Sequence, residues 1–179
     1  SRLANIQPFH VMALLGRARA MDAAGRDIIH LEVGEPDFPT PAPVVAAGQA
    51  ALARGDTFYT PSLGLPALRE AIAGWYRTRF GVAVQPGQVV VTPGASGALL
   101  LALGLVADPG KRVLLADPGY PCNRHFLTVL GAAARMVPVD AASGFQLSAA
   151  DIGRAWDADT VAALVATPSN PTGVRRGIN

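Results

Sequence analysis

This chain has one cysteine, one lysine and three histidines in 179 residues. A single cysteine, Cys122, excludes an internal disulfide and fits a reducing, cytoplasmic setting. His10, His30 and His125 lie far apart, without metal-ligand spacing, which leaves them structural or surface roles. Charge is also sparse, at 16% of residues, with a net value of +2. The pI of 9.1 reflects a small arginine excess that is scattered along the chain, so no basic patch marks a nucleic-acid partner. No apolar run reaches membrane-spanning length without Gly, Pro or charge, and no signal peptide opens the sequence. Neither the G-x-G-x-x-G dinucleotide fingerprint nor the G-x-S-x-G nucleophile elbow occurs. Half the residues are apolar and mean hydropathy is +0.30, which excludes disorder and supports a real core. The scarcity with most consequence is that of lysine. Of fifteen basic residues, fourteen are arginine, and the remaining one is Lys111.

The stretch from Gln88 to Val106 organises what is present. Val89, Val90 and Val91 are a β-branched run that predicts a buried strand. Thr92-Pro93-Gly94 interrupts it. Ala95-Ser96-Gly97 then leads into a Leu- and Ala-rich run, apolar on every side, that predicts a buried helix. Backbone N–H groups at such a helix start, with small residues around them, suit a phosphate. The same composition also suits a strand-to-helix turn packed tightly for its own sake. Both readings stand on this stretch alone.

Along the chain, Val11, Leu14, Leu15, Ala18 and Met21 recur at helical spacing, with Gly25 as a stop. Residues 28–33 read as a short strand. Residues 34–41 hold Pro36, Pro39 and Pro41 and read as a rigid loop. Val44 to Leu52 predicts a second helix, 58–64 a loop, and Leu65 to Phe80 an amphipathic helix that ends at Gly81 with its aromatics in the core. From there the pattern alternates. Strands are predicted at 112–116, 135–139 and 161–166, and helices at 123–130 and 148–156. Ser148 caps the latter, with Asp151 at its third position. This alternation implies an α/β fold with a mostly parallel sheet.

Three loops then stand out. Gly94–Gly97, Asp117–Pro121 and Ser169–Gly173 each follow the carboxyl end of a predicted strand, where open α/β sheets bind ligands. If the strands are parallel, the loops bring together a phosphate cradle, the ring of Tyr120 and the amide of Asn170. That set suits a flat, phosphorylated heteroaromatic molecule.

Five segments carry a resemblance: Gly-Glu-Pro-Asp-Phe-Pro-Thr-Pro at 34–41, Tyr-Thr-Pro-Ser-Leu-Gly-Leu-Pro-Ala-Leu-Arg at 59–69, Val-Thr-Pro-Gly-Ala-Ser-Gly-Ala at 91–98, Asp-Pro-Gly-Tyr-Pro-Cys at 117–122 and Ser-Asn-Pro-Thr-Gly at 169–173. In this order the chain resembles the amino-terminal part of a class I/II aminotransferase, a fold-type I pyridoxal-phosphate-dependent enzyme. The resemblance implies a three-layer α/β/α large domain, incomplete here. Residues 1–41 would form an arm and small-domain segment, and 42–179 the first part of the large domain. It implies pyridoxal 5'-phosphate as cofactor, an amino acid and a 2-oxo acid as substrates, and a homodimer. By the same resemblance Ala95, Ser96 and Gly97 match the phosphate cradle, and Tyr120 the residue stacked on the pyridine ring. Asn170 matches the amide on the ring oxygen and also borders the substrate. Gly34 matches the glycine beside the substrate carboxylate, and Tyr59 a tyrosine that reaches the neighbouring subunit's cofactor phosphate.

The family's Schiff-base lysine, the aspartate on the pyridine nitrogen and the carboxylate-gripping arginine all follow the Asn-Pro-Thr-Gly motif. This sequence ends six residues after Gly173. Lys111 sits in a turn that feeds the start of a strand, so no catalytic residue is assigned. The tail, 174–179, does not read as the helix start the family has there. Three alternatives follow: part of an aminotransferase, a non-catalytic cofactor-binding or dimerisation remnant, or a lyase on the same scaffold. Taken alone, the 179-residue chain is expected to be poorly stable or obligately oligomeric, because sheet and helix faces would lack cover.

Overall fold

The computed structural model describes residues 8–175 together with Ala4 and Ile6. The reading of 174–179 therefore falls, past Arg175, outside the described residues. The chain divides into two compact units, 10–92 and 93–179, the latter joined by the first nine residues.

The unit 10–92 is helical. It holds α1 (His10–Ala23), α2 (Ala42–Ala53) and α3 (Pro66–Phe80), and a single 3-10 turn at Pro86–Gln88. Proline sets the first turn of both α2 and α3, where its fixed φ and missing N–H cost nothing. Arg69 Nε donates to Pro86 O at 3.0 Å and ties α3 to the 3-10 turn. Gly64 holds φ +98°, and a Cβ there would lie 2.5 Å from Val91 Cγ2. A glycine at this point therefore lets the 58–64 loop press against 89–91, where Val91 N–H donates to Leu63 O at 3.0 Å.

Three expectations fail in this region. Residues 28–33 form no strand, and Ile29 and Leu31 are exposed. Val89–Val91 is extended but is not a strand, with Val90 and Val91 exposed. Both runs have β-branched composition, but a strand exists only where a partner supplies the ladder, and among the described residues none pairs with them. The α3 aromatics are not core. Trp75, Tyr76 and Phe80 are exposed and pack edge-on or tilted against one another, with Trp75–Phe80 ring centroids 5.0 Å apart.

The unit that begins at Pro93 is α/β. α4 (Gly94–Val106) leads to β1 (Arg112–Asp117), α5 (Cys122–Leu130), β2 (Ala133–Pro138), α6 (Ala149–Ala155) and β3 (Thr160–Leu164). The sheet order is β2-β1-β3, all parallel. Arg112 pairs with Ala133 and with Thr160, and a register shift follows on the β3 side before Val113 meets Ala162. Val113 and Leu115 join Leu103, Ala107, Leu127 and Ala132 in one core cluster. Leu114 points to the other face by the alternation of the strand and is equally buried. β1 is therefore covered on both sides, as a continuous apolar run in a central parallel strand requires. Each such buried Leu or Val contributes about 1.5–3 kcal/mol. α6 carries the capping box expected of Ser148 and Asp151, with Asp151 N–H donating to Ser148 Oγ at 3.1 Å.

α4 is a helix as expected but is not buried. Leu103 is 5% exposed, whereas Leu105 is 87% exposed. A run apolar on all sides cannot report which face the core takes, and only one face of α4 meets α5 and β1.

At the amino ends of the strands, Asp157 accepts from Arg112 Nη1 at 2.8 Å, from Arg135 and from Thr160 Oγ1 at 2.8 Å. It thereby joins β1, β2 and the start of β3. The Thr160 hydroxyl first, then Arg112 and the Asp159 N–H, hold the Asp157 carboxyl down to about 2. Lys111 stands at this same edge, its Nζ 3.2 Å from Asp159 Oδ1.

Candidate functional site

The opposite, carboxyl edge of the sheet holds the cleft. β1 ends at Asp117 and the chain turns sharply through Pro118-Gly119 to Tyr120. A Cβ on Gly119 would sit 2.5 Å from Ala116 O, so this turn accepts only glycine without rearranging. Val139 N–H donates to Asp117 O at 2.9 Å and draws the β2 exit against the same turn. After β3, Ser169 N–H donates to Val174 O at 3.0 Å and Gly173 N–H to Ser169 O at 2.7 Å, which folds the Asn-Pro-Thr-Gly segment into a compact loop. The peptide bonds before Pro118, Pro168 and Pro171 are cis.

These exits enclose a cleft of about 180 Å³. Its apolar lining includes Leu115, Met136 and Leu164, and its polar lining comes from Asp117, Tyr120, Asn123, Arg124, Gln146, Ser169 and Asn170. Phe145, also in the lining, holds φ +53°, a conformation rare for a bulky side chain. The Tyr120 ring meets Phe9 edge-on at 6.3 Å. Pairing with the Cys122 side chain, then burial, pushes the Tyr120 hydroxyl above the ordinary tyrosine range, so it stays neutral at physiological pH.

Tyr120 and Asn170, fifty positions apart, are thus brought together in one cleft. Ala95, Ser96 and Gly97 occupy the first turn of α4 and are not among the lining residues. With 89–91 extended but outside any strand, this turn follows no strand end, unlike the other two loops. Tyr59, fully exposed, and Gly34, in its loop, belong to the unit 10–92. Asn123 was not singled out from sequence. It is 8% exposed and its Oδ1 is buried without a hydrogen-bond partner. Its only sequence signal is an amide in the first turn of an otherwise apolar-faced helix, immediately after Tyr-Pro-Cys.

Among the described residues no group of His, Cys, Asp and Glu could hold a metal ion, and no helix is long and apolar enough to cross a membrane. His30 pairs through Nε2 with Asp22 at 2.5 Å and through Nδ1 with Glu32 at 2.6 Å.

Comparison with known proteins gives one consistent picture. Residues 26–175 match the family model described as aminotransferase class I and II. The chain is 39% identical over 170 residues to the valine–pyruvate aminotransferase of Mycobacterium tuberculosis, covering 95% of this chain and 44% of that protein. It is 37% identical over 172 residues to the (5-formylfuran-3-yl)methyl phosphate transaminase of Methanocaldococcus jannaschii, covering 96% and 44%. The crystal structure of an aminotransferase from Mycobacterium tuberculosis superposes with a TM-score of 0.92 at 39% identity, over 97% of this chain and 44% of that one. The aspartate aminotransferase of Thermus thermophilus with maleate superposes at 0.89 and 33% identity, over 95% and 44%. The chain therefore spans a little under half the length of the relatives it matches.

Proposed function

This chain belongs to the aminotransferase class I and II family, and from that premise we propose that the protein moves an amino group between an amino acid and a 2-oxo acid with pyridoxal 5'-phosphate as cofactor. The observation that carries this reading is the meeting of Tyr120 and Asn170 at the carboxyl edge of a parallel sheet. The cleft fits the cofactor chemically. It offers an aromatic face in Tyr120, an amide in Asn170 and apolar lining from Leu115, Met136 and Leu164.

When bound, pyridoxal 5'-phosphate supplies a ring that accepts the electron pair left as an amino acid loses its α-proton. The chain supplies the setting. Tyr120 stacks its neutral ring on the pyridine face. Asn170 donates an amide N–H to the ring oxygen and borders the substrate. Ala95, Ser96 and Gly97 offer the phosphate their N–H groups at the positive end of α4, and Ser96 adds its hydroxyl. Leu115, Met136 and Leu164 keep water from the apolar part of the lining. In this reading Gly34 lies by the substrate carboxylate, and Tyr59 reaches the cofactor phosphate of the second subunit of a cytoplasmic homodimer. Residues 1–41 serve as the arm and small-domain segment, and 42–179 as part of the cofactor-binding domain. Lys111 is paired with Asp159 at the far edge of the sheet, so the proton-moving lysine is a residue outside positions 1–179.

The test is transfer of 15N from a panel of labelled amino acids to added 2-oxo acids, followed by mass spectrometry. Label in the new amino acid, dependent on added cofactor, supports the reading. Release of the label as ammonia contradicts it and points to a lyase. The placement of Lys111 favours a second reading for the 179 residues taken by themselves: they bind the cofactor without transferring the amino group. Borohydride reduction that traps no cofactor on any lysine of this chain, despite measurable binding, supports that reading.

A further inference from the structure

Two observations bring the start of the chain to the cleft. The first nine residues group with the α/β unit 93–179 and not with the helical unit 10–92 that follows them. The ring of Phe9 then meets the ring of Tyr120, with centroids 6.3 Å apart and planes at 82°. Pro8 stands immediately before it, and its fixed φ limits the directions in which the chain can deliver the Phe9 ring. Tyr120 lines the cleft and Phe9 does not, so Phe9 touches the ring without taking a ligand's place. Two other restraints act at the ends of Tyr120. Asn123 N–H donates to its carbonyl at 3.2 Å, and the Cys122 side chain pairs with its hydroxyl. The hydroxyl lies on the axis about which the ring turns, and that torsion is broad, so neither contact sets the plane of the ring. An edge-to-face neighbour does set it, because the positive edge of one ring is drawn to the negative face of the other.

We propose that Phe9 is a positioning residue of this cleft, bracing the Tyr120 ring edge-on and so fixing the plane against which a flat heteroaromatic ligand stacks. The inference rests on the cofactor reading of the cleft given above and deepens it. Phe9 acts through Tyr120. A ring already held in its stacking plane has less freedom to lose when the ligand arrives. Without the brace, the ligand itself must order the ring. The start of the chain is therefore part of the binding unit, and its contribution vanishes when position 120 carries no ring.

The experiment measures pyridoxal 5'-phosphate binding to the full-length protein by equilibrium dialysis, alongside the circular dichroism induced in the cofactor's absorption band. The variants are Phe9→Leu, which removes the ring but keeps apolar bulk, Phe9→Tyr, which keeps the ring, Tyr120→Ala, and Phe9→Leu combined with Tyr120→Ala. Phe9→Leu is expected to weaken binding about 2- to 10-fold and to change the induced dichroism. Phe9→Tyr is expected to bind as wild type does. A brace that acts through Tyr120 predicts that the double variant loses no more than Tyr120→Ala alone. If Tyr120→Ala weakens binding and Phe9→Leu does not, or if the two losses add in the double variant, this inference is overturned while the cleft reading survives. Equal losses in the Leu and Tyr variants of Phe9 overturn the role of its ring. A wild type that does not bind, or a Tyr120→Ala variant that binds as well as wild type, overturns the cleft reading and this inference with it. Should a variant not fold, the unliganded wild type decides the matter. Nuclear Overhauser contacts between the ring protons of Phe9 and Tyr120 are expected there, and their absence overturns the proposal.

Discussion

Leu103 and Leu105 stand two positions apart on the same apolar helix, and the structure assigns them opposite consequences. Leu103 is 5% exposed and packs in the cluster with Ala107, Val113, Leu115 and Leu127. Leu105 is 87% exposed. Truncating a buried leucine removes its transfer free energy and leaves a partly unfilled cavity, which costs about 2–5 kcal/mol. Leu103 sits between α5 and β1, both held by the sheet, so its surroundings have little freedom to collapse. Leu103→Ala should therefore fall within that range. Leu105→Ala removes side-chain area already in water, and alanine is the better helix former, so the change should stay within about 0.5 kcal/mol of zero. The assay is urea unfolding followed by circular dichroism. With m about 1–3 kcal/mol per molar urea, Leu103→Ala lowers the midpoint by about 1 M or more and Leu105→Ala leaves it nearly in place. Equal losses at the two positions, or no loss at Leu103, would refute the burial assigned to α4.

Three further predictions concern electrostatics and backbone. Asp157 is held at about 2 against an ordinary value of 3.8, so its contribution to stability is present above 3.8 and is lost as pH falls through about 2. Asp157→Asn should lower stability at pH 7 and flatten the acid limb of stability between pH 4 and pH 2, as followed by urea midpoints. His30 is raised above 6.5, by Glu32 first and then Asp22, so its stabilising contribution is complete below 6.5 and lost as pH rises through the higher folded value. In an NMR titration, Asp22→Asn should bring the His30 midpoint back toward 6.5, and an unmoved midpoint would show that the pairing does not form. Gly64→Ala meets both φ +98° and a 2.5 Å approach to Val91 Cγ2, and should cost more than about 1 kcal/mol, whereas Gly48→Ala, mid-helix with open space around it, should be neutral or stabilising. Thermal melts of the two variants separate the outcomes.

How much of this was legible in the sequence depended on how local the cause was. The helices of 10–92 were legible from the helical spacing of their apolar residues, with Gly25 just past α1 and Gly81 at the end of α3, and the structure has these two helices ending there. The three parallel strands were legible because Val113-Leu114-Leu115 is buried on both faces and the flanking loops carry Pro and Gly. β2 starts two residues before the position expected, at Ala133, because alanine carries no strand signal and the pairing with Arg112 decides the boundary. Residues 28–33 and 89–91 have strand composition but no ladder partner, a property of the whole fold that no local window contains. The exposed aromatics of α3 and the one-sided burial of α4 were missed for a similar reason, since periodicity gives a face but not what covers it. At the site, Tyr120 and Asn170 were legible because each sits in a loop after a strand end. The three-way clamp on Asp157 joins residues up to 45 positions apart and has no sequence signature.

The most direct measurement is a crystal structure of the protein grown with pyridoxal 5'-phosphate. The account predicts the ring against Tyr120, its edge toward Asn170, and its phosphate at the start of α4. A cofactor bound at the opposite edge of the sheet, beside Lys111 and Asp159, would contradict it.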